Sequence, residues 1–174
     1  MVDAATPAAL ETLEEHVATN EAPFHFVDSG LDNVYLVGVR YFTSPSGRTV
    51  AEIPAVNRLM SLIARDLLFS SGALRGQEIR FLRKRLGLKA AEFSKTLRIT
   101  PETLSRIENQ KQAASDQLDV LVRMYYLLSC GDPKLSAQAK RLMDFLNGEV
   151  SEKNTKIVMS VSAENEWTDM PMAA

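Results

Sequence analysis

The run IRFLRKRLGLKAAEFSKTLRITPETLSRIEN, Ile79 to Asn109, decides how the rest of this chain is read. It falls into three short amphipathic pieces: Ile79, Leu82 and Leu86 on the first, Phe93 and Leu97 on the second, Leu104 and Ile107 on the third. Each set recurs at helical spacing, which puts one apolar stripe on each of three helices and lets them share a small core. The third piece opens with Thr100-Pro101-Glu102. There a hydroxyl can accept a backbone N–H, a proline sits where no donor is needed, and a carboxylate faces the positive end of the helix dipole.

Arg98 and Ile99 alone separate the second piece from the third, so the two helices must cross sharply. Such a cross carried on a preceding helix is the helix-turn-helix. Gly87-Leu88, Ala91-Glu92-Phe93, Ile99-Thr100 and Leu104-Ser105-Arg106-Ile107-Glu108-Asn109 resemble the Cro/repressor-type (XRE) helix-turn-helix, over roughly Gly76 to Leu128. That resemblance implies an ion pair between Arg83 and Glu108, tying the first helix to the end of the recognition helix. It also implies double-stranded DNA as the partner. The chain departs from the family pattern at two places. Ala90 stands where a glutamine usually meets a backbone phosphate, with Lys89 beside it as a substitute point charge. Arg98 stands where the turn usually has glycine, and a left-handed backbone there costs about 1 kcal/mol or somewhat more; a reshaped turn is the alternative.

On a helix starting after Thr100, the 3.6-residue period turns Leu104 and Ile107 inward and leaves Pro101, Glu102, Thr103 and Arg106 on the exposed N-terminal face. These four are the candidate base-reading residues. Arg106 suits guanine O6 and N7, Glu102 suits cytosine N4, and Thr103 suits a thymine methyl or a base edge. Lys89, Arg98, Thr100, Asn109 and Lys111 are the candidate phosphate contacts.

Charge is divided unevenly. Arg75 to Lys111 holds ten Lys/Arg against four acids, +6, so that with a net charge of −2 the remainder carries −8. A cluster of this kind can be no more than a solvated helical face; its coincidence with the three-helix pattern favours phosphate binding.

Upstream, residues 1–22 are rich in alanine, threonine and acid, with Leu10, Leu13 and Val17 at helical spacing, and read as a leader with a short frayed helix. From Phe24 the period changes. Tyr35, Val37, Val39 and Tyr41 alternate with Leu36, Gly38, Arg40 and Phe42, and Ser44-Pro45-Ser46-Gly47 turns the chain into Thr49–Ile53. This pattern predicts a small antiparallel β unit with a hairpin. Phe24-His25-Phe26, Ser29–Leu36, Ile53-Pro54 and Leu59–Ile63 resemble the front part of MqsA-like zinc-ribbon/helix-turn-helix regulators, many of them antitoxins. The resemblance implies a toxin or other protein partner on this part. It does not imply zinc here: the hairpin tip offers Thr43, Ser44 and Ser46 in place of Cys-x-x-Cys pairs, and the single cysteine is Cys130. No metal and no cofactor is expected, and His25 reads as a packed, hydrogen-bonded strand residue.

Pro54–Phe69 predicts a helix with Val56, Leu59, Met60, Ile63, Leu67 and Leu68 on its apolar face, ended by Ser70-Ser71-Gly72. Ser115-Asp116 caps another, with Leu118, Leu121, Val122, Tyr125 and Leu128 inward. Pro133–Leu146 predicts a C-terminal helix stopped by Asn147-Gly148. Beyond it, Ile157, Met159 and Val161 alternate like an edge strand; a strand pairing with the β unit or a partner and a loose tail are the two alternatives.

The expected fold is therefore α+β, mainly α. Its parts are a leader (1–22), a β hairpin unit with one helix (23–72), a five-helix repressor-type helix-turn-helix domain (73–130), a C-terminal helix (131–150) and a tail (151–174). No apolar run approaches the roughly 18 residues of a membrane span, and Met1–Leu10 lacks an export pattern, so a cytoplasmic protein is expected. No phosphate loop or convergent nucleophile set supports an enzyme. The reading is a sequence-specific regulator, an autorepressor on a palindromic operator or the antitoxin of a pair. The contrasting reading is an interaction module that keeps the fold without specific DNA binding. A homodimer is expected, because one recognition helix spans too few base pairs to select an operator. Its candidate seams are the apolar faces of Pro54–Phe69 and Pro133–Leu146.

Overall fold

The structure, a computed structural model, describes residues 13–131 and 156–169. It is α+β and mainly α, with antiparallel strands leading into helices. The β-rich part forms two sheets. β1 (Glu14–Val17), β4 (Arg40–Thr43) and β5 (Thr49–Glu52) make an antiparallel sheet in the order β1-β4-β5. β2 (Phe24–His25), β3 (Val34–Val37), β6 (Ile157–Val161) and β7 (Trp167–Asp169) make the second, in the order β2-β3-β6-β7, with β3 and β6 parallel. The unbroken alternation from Tyr35 to Phe42 is divided between them at Gly38, where φ is 81°. A Cβ on Gly38 would stand 2.6 Å from the carbonyl oxygen of Val161, so glycine meets both the left-handed backbone and the close approach of β6.

Two expectations about the ends are corrected. The leader's helical spacing does not produce a helix over the described part: Glu14–Val17 is a strand, with Glu15 opposite Phe42 and His16 opposite Tyr41. Pairing with the hairpin overrides a weak helical pattern, and the His16 ring stacks on Tyr41 at 5.0 Å. Ile157–Val161 does form a strand that pairs with the β unit, but it is not at the edge. It lies between β3 and β7, Val34 opposite Ile157 and Leu36 opposite Met159, with Ile157 and Met159 buried. Both of its edges are hydrogen-bonded, to β3 and to β7, so the strand is interior. The expected C-terminal helix over Pro133–Leu146 lies outside the described residues.

Five α-helices follow β5 among the described residues: α1 (Val56–Phe69), α2 (Gly76–Arg85), α3 (Ala90–Thr96), α4 (Pro101–Glu108) and α5 (Asp116–Ser129). None of the described helices is long and apolar enough to cross a membrane. α1 packs on β6 and β7 and against α2. Leu59, Ile63, Ala64, Leu67 and Leu68 are buried there, which leaves α1 little apolar surface for a dimer seam. The indole of Trp167, buried, donates to the carbonyl of Pro54 at 2.6 Å and so fixes β7 to the start of α1. Phe26, Leu31, Val34 and Leu36 of the β part run into the same apolar core as Ile79, Phe93, Leu104 and Ile107.

α5 is turned from the face its leucines suggest. Leu118, Val122, Tyr126 and Leu127 are buried, while Leu121 and Leu128 are exposed. What turns it is Arg123, wholly buried. Its guanidinium donates to the carbonyls of Leu67 (2.9 Å), Leu68 (2.7 Å), Ser70 (3.2 Å) and Gly72 (2.8 Å), and its Nε to Asp119 at 2.9 Å. Asp119 accepts the Leu74 N–H at 2.7 Å. One cation thus satisfies the orphan carbonyls at the end of α1 and the connection into α2. A buried charge with this many partners is tolerable only because each is in place.

Candidate nucleic-acid interface

α2 starts at a cap that faces two ways. The Arg75 N–H donates to Glu78 at 2.7 Å and the Arg75 Nε to the same carboxylate at 2.9 Å, while Arg75 Nη1 lies 2.9 Å from Asp32 of the β part. Asp32 also accepts from Gln77. Burial alone would raise the Asp32 carboxyl, but Gln77 and Arg75 outweigh it and hold it below the usual carboxylate range. One residue on, Gly76 lets α2 meet α4: a Cβ there would fall 1.8 Å from the Ile107 carbonyl oxygen.

α2 ends at Gly87, φ 70°, and Lys89 precedes α3 in extended conformation. Phe93 and Ser94 are buried under α3. The turn to α4 is not reshaped. Arg98 adopts the left-handed backbone at φ 58°, its N–H donating to Lys95 at 3.2 Å while the Ile99 N–H reaches Ser94 at 3.1 Å. This is the helix ending that glycine usually supplies, held here by an arginine at a cost of about 1 kcal/mol.

Thr100 caps α4 by accepting the Thr103 N–H at 3.1 Å, with Pro101 in the first helical position. Leu104 and Ile107 are buried beneath it. At its far end Arg83 Nε donates to Glu108 at 2.6 Å and Arg83 Nη2 to the second carboxylate oxygen at 2.8 Å. Arg83 Nη1 adds the Leu88 carbonyl at 2.9 Å. The hydrogen bonds it donates to Glu108 hold the Arg83 guanidinium above its ordinary range, against desolvation. A buried bidentate pair fixes the recognition helix to α2 in one orientation.

The outward face of α4 carries Pro101, Glu102, Ser105, Arg106 and Asn109, all exposed. Thr103 is half-buried and its hydroxyl lies 3.1 Å from that of Thr100, so it is partly engaged in the cap. Ser105 escaped the sequence reading; it sits on the turn between Glu102 and Arg106, and helical phase alone places it outward. Asn109 is turned back on its own helix, donating to the Ser105 carbonyl at 2.7 Å, so a phosphate contact by this amide requires a new rotamer. Lys89, Arg98, Lys111 and the neighbouring Lys95 are exposed around the same face. Arg123 and Asp119 also went unread; their four-residue spacing inside an apolar helix is the only signal they leave.

Residues 79–118, from within α2 to the first turn of α5, match the family described as Helix-turn-helix. Over that segment the chain is similar to XRE-type helix-turn-helix modules, which bind DNA in transcriptional regulators. The match leaves α1 and both sheets outside it. No curated protein and no solved structure matches the chain.

Proposed function

We propose that this chain is a sequence-specific transcriptional regulator in the cytoplasm that binds a palindromic operator as a dimer and represses its own transcription, without catalysis. The observation that supports this reading is the outward face of α4. Glu102, Ser105 and Arg106 are exposed on a helix whose other side is locked by Arg83–Glu108, with Lys89, Arg98 and Lys111 around it. A rigid helix presenting hydrogen-bonding side chains among cations is what major-groove reading requires. An antitoxin would use the same face on DNA and take a toxin on its sheets.

Binding titrations of variants on operator and scrambled duplex at several salt concentrations test the assignment. Arg106→Ala should cost about 1–3 kcal/mol on the operator and little on random DNA, relaxing preference at one base pair. Lys89→Ala should weaken both duplexes and lower the slope of log K against log salt by about one per half-site. Equal loss on both duplexes for Arg106→Ala, or no operator preference in the wild type, would favour a protein-interaction module that has kept the fold.

A further inference from the structure

The dimer needs a seam, and α1 has spent its apolar face inside the molecule. β5 has not. In the sheet order β1-β4-β5 it is an outer strand, and Val50 on it is 64 % exposed. The hairpin fixes which way its backbone points. The Ser44 N–H donates to Arg48 at 2.8 Å, so Ser44 and Arg48 form a hydrogen-bonded pair, and antiparallel alternation makes Phe42 and Val50 the next such pair. The N–H and C=O groups of Val50 therefore face β4. Those of Thr49 and Ala51 face away from the sheet.

We propose that two copies of this chain pair antiparallel through β5, about a twofold axis at Val50, joining the two three-stranded sheets into one of six strands. The proposal rests on the dimer reading above. Its register follows from these outward groups, which have no partner among the described residues. Only pairing of outward-facing residues with each other satisfies both edges, and centring on Val50 sets Thr49 against Ala51 of the second copy twice, with four backbone hydrogen bonds. The same register brings Arg48 opposite Glu52 of the second copy, again twice, because residues 48, 50 and 52 share one face. Arg48 is exposed and has no ion pair among the described residues, whereas Glu52 already holds Arg40 at 2.6 Å and has a further oxygen to offer. The charges at the two ends of this short edge thus repel a parallel copy and attract an antiparallel one. That is self-complementarity of the kind a twofold interface requires.

Val50 would face its own copy in a non-hydrogen-bonded pair, with Cα atoms about 4.5 Å apart, inside the range a disulfide can span. Since Cys130 is the sole cysteine, Val50→Cys on a Cys130→Ser background is a clean probe. Mild oxidation should cross-link it nearly completely, whereas Val17→Cys on that background, exposed on the opposite edge strand, should stay monomeric on a non-reducing gel. Thr49→Pro removes an outward N–H without touching the β4 ladder and should raise the dimer dissociation constant at least about tenfold, with an unchanged thermal melt at concentrations where both proteins are monomeric. Arg48→Glu should weaken the dimer in the same direction and more so at low salt. A wild type that is dimeric by light scattering, with Val50→Cys uncross-linked and Thr49→Pro still dimeric, would place the seam elsewhere: the inference falls and the dimer reading stands. A wild type monomeric both free and on operator DNA, with no cross-link at position 50, would end both and leave this edge to a strand of some other protein.

Discussion

The helix-turn-helix and the pair of sheets are built by opposite routes. Between Gly76 and Asn109 each helix meets its neighbours across a few residues of turn, so caps, stripes and turns lie side by side in the sequence. The sheets depend on partners far away: Val34 pairs with Ile157, and Trp167 bonds the carbonyl of Pro54. Local contacts leave periodicity and punctuation in the chain. Distant pairing leaves only the alternation of each strand, silent about its partner.

Arg123 ties α5 to the end of α1, the helix that packs on β6 and β7, and removing it is the strongest way to break the contrast. Arg123→Ala strips the carbonyls of Leu67, Leu68, Ser70 and Gly72 of their donor and leaves Asp119 buried without its cation. The expected loss is about 3–5 kcal/mol in urea unfolding. If the sheets and the helix-turn-helix are one cooperative unit, as their common core implies, circular dichroism and Trp167 fluorescence will move together. Two separate transitions would make them independent domains.

That joint is also what the sequence conveyed least. The three stripes, the Thr100-Pro101-Glu102 start and the outward set on α4 could be read from spacing, and the Arg83–Glu108 pair from a family resemblance. The phase of α5 could not, because its leucines outnumber Asp119 and Arg123 and only the carbonyls at the end of α1 give those two a reason to face inward. The fate of Ile157–Val161 was hidden in the same way. Its alternation marks a strand, but nothing near it names β3 as its parallel neighbour.

A second, smaller test probes the sheets alone. Gly38→Ala adds a Cβ 2.6 Å from the Val161 carbonyl oxygen at a residue with φ 81°, combining a steric clash with left-handed strain. A loss of about 2–4 kcal/mol is expected. Hydrogen exchange should report it first at β3 and β6, and a uniform speeding at α3 and α4 would contradict the division.

Asp66 sharpens the contrast through pH. Burial first, then the charges of Asp169 on β7 and Glu78 on α2, push its carboxyl up to about 6 from 3.8, with Arg65 opposing. Because the folded state holds the proton more tightly than the unfolded chain, stability is fully present below about pH 4 and is lost as pH rises to about 6. Asp66→Asn should therefore stabilise the protein by about 1–2 kcal/mol at pH 7–8 and leave it unchanged near pH 4. A gain of the same size at both pH values would exclude titration as its source.

The smallest effect expected belongs to the turn of the helix-turn-helix, where the local rules were departed from. Arg98 holds a left-handed backbone that glycine would adopt freely, yet its side chain is exposed beside the proposed DNA face. Arg98→Gly should raise stability by about 1 kcal/mol. On DNA the same change should lower the salt slope by about one per half-site, if the guanidinium meets a phosphate. Arg98→Ala separates the two effects, since alanine keeps the strain and loses the charge. It should match Arg98→Gly in the salt titration and the wild type in the melt. Were Arg98→Ala to bind operator and random DNA with the wild-type slope, Arg98 would have no phosphate to meet. Its strained backbone would then be a cost without a DNA contact to explain it.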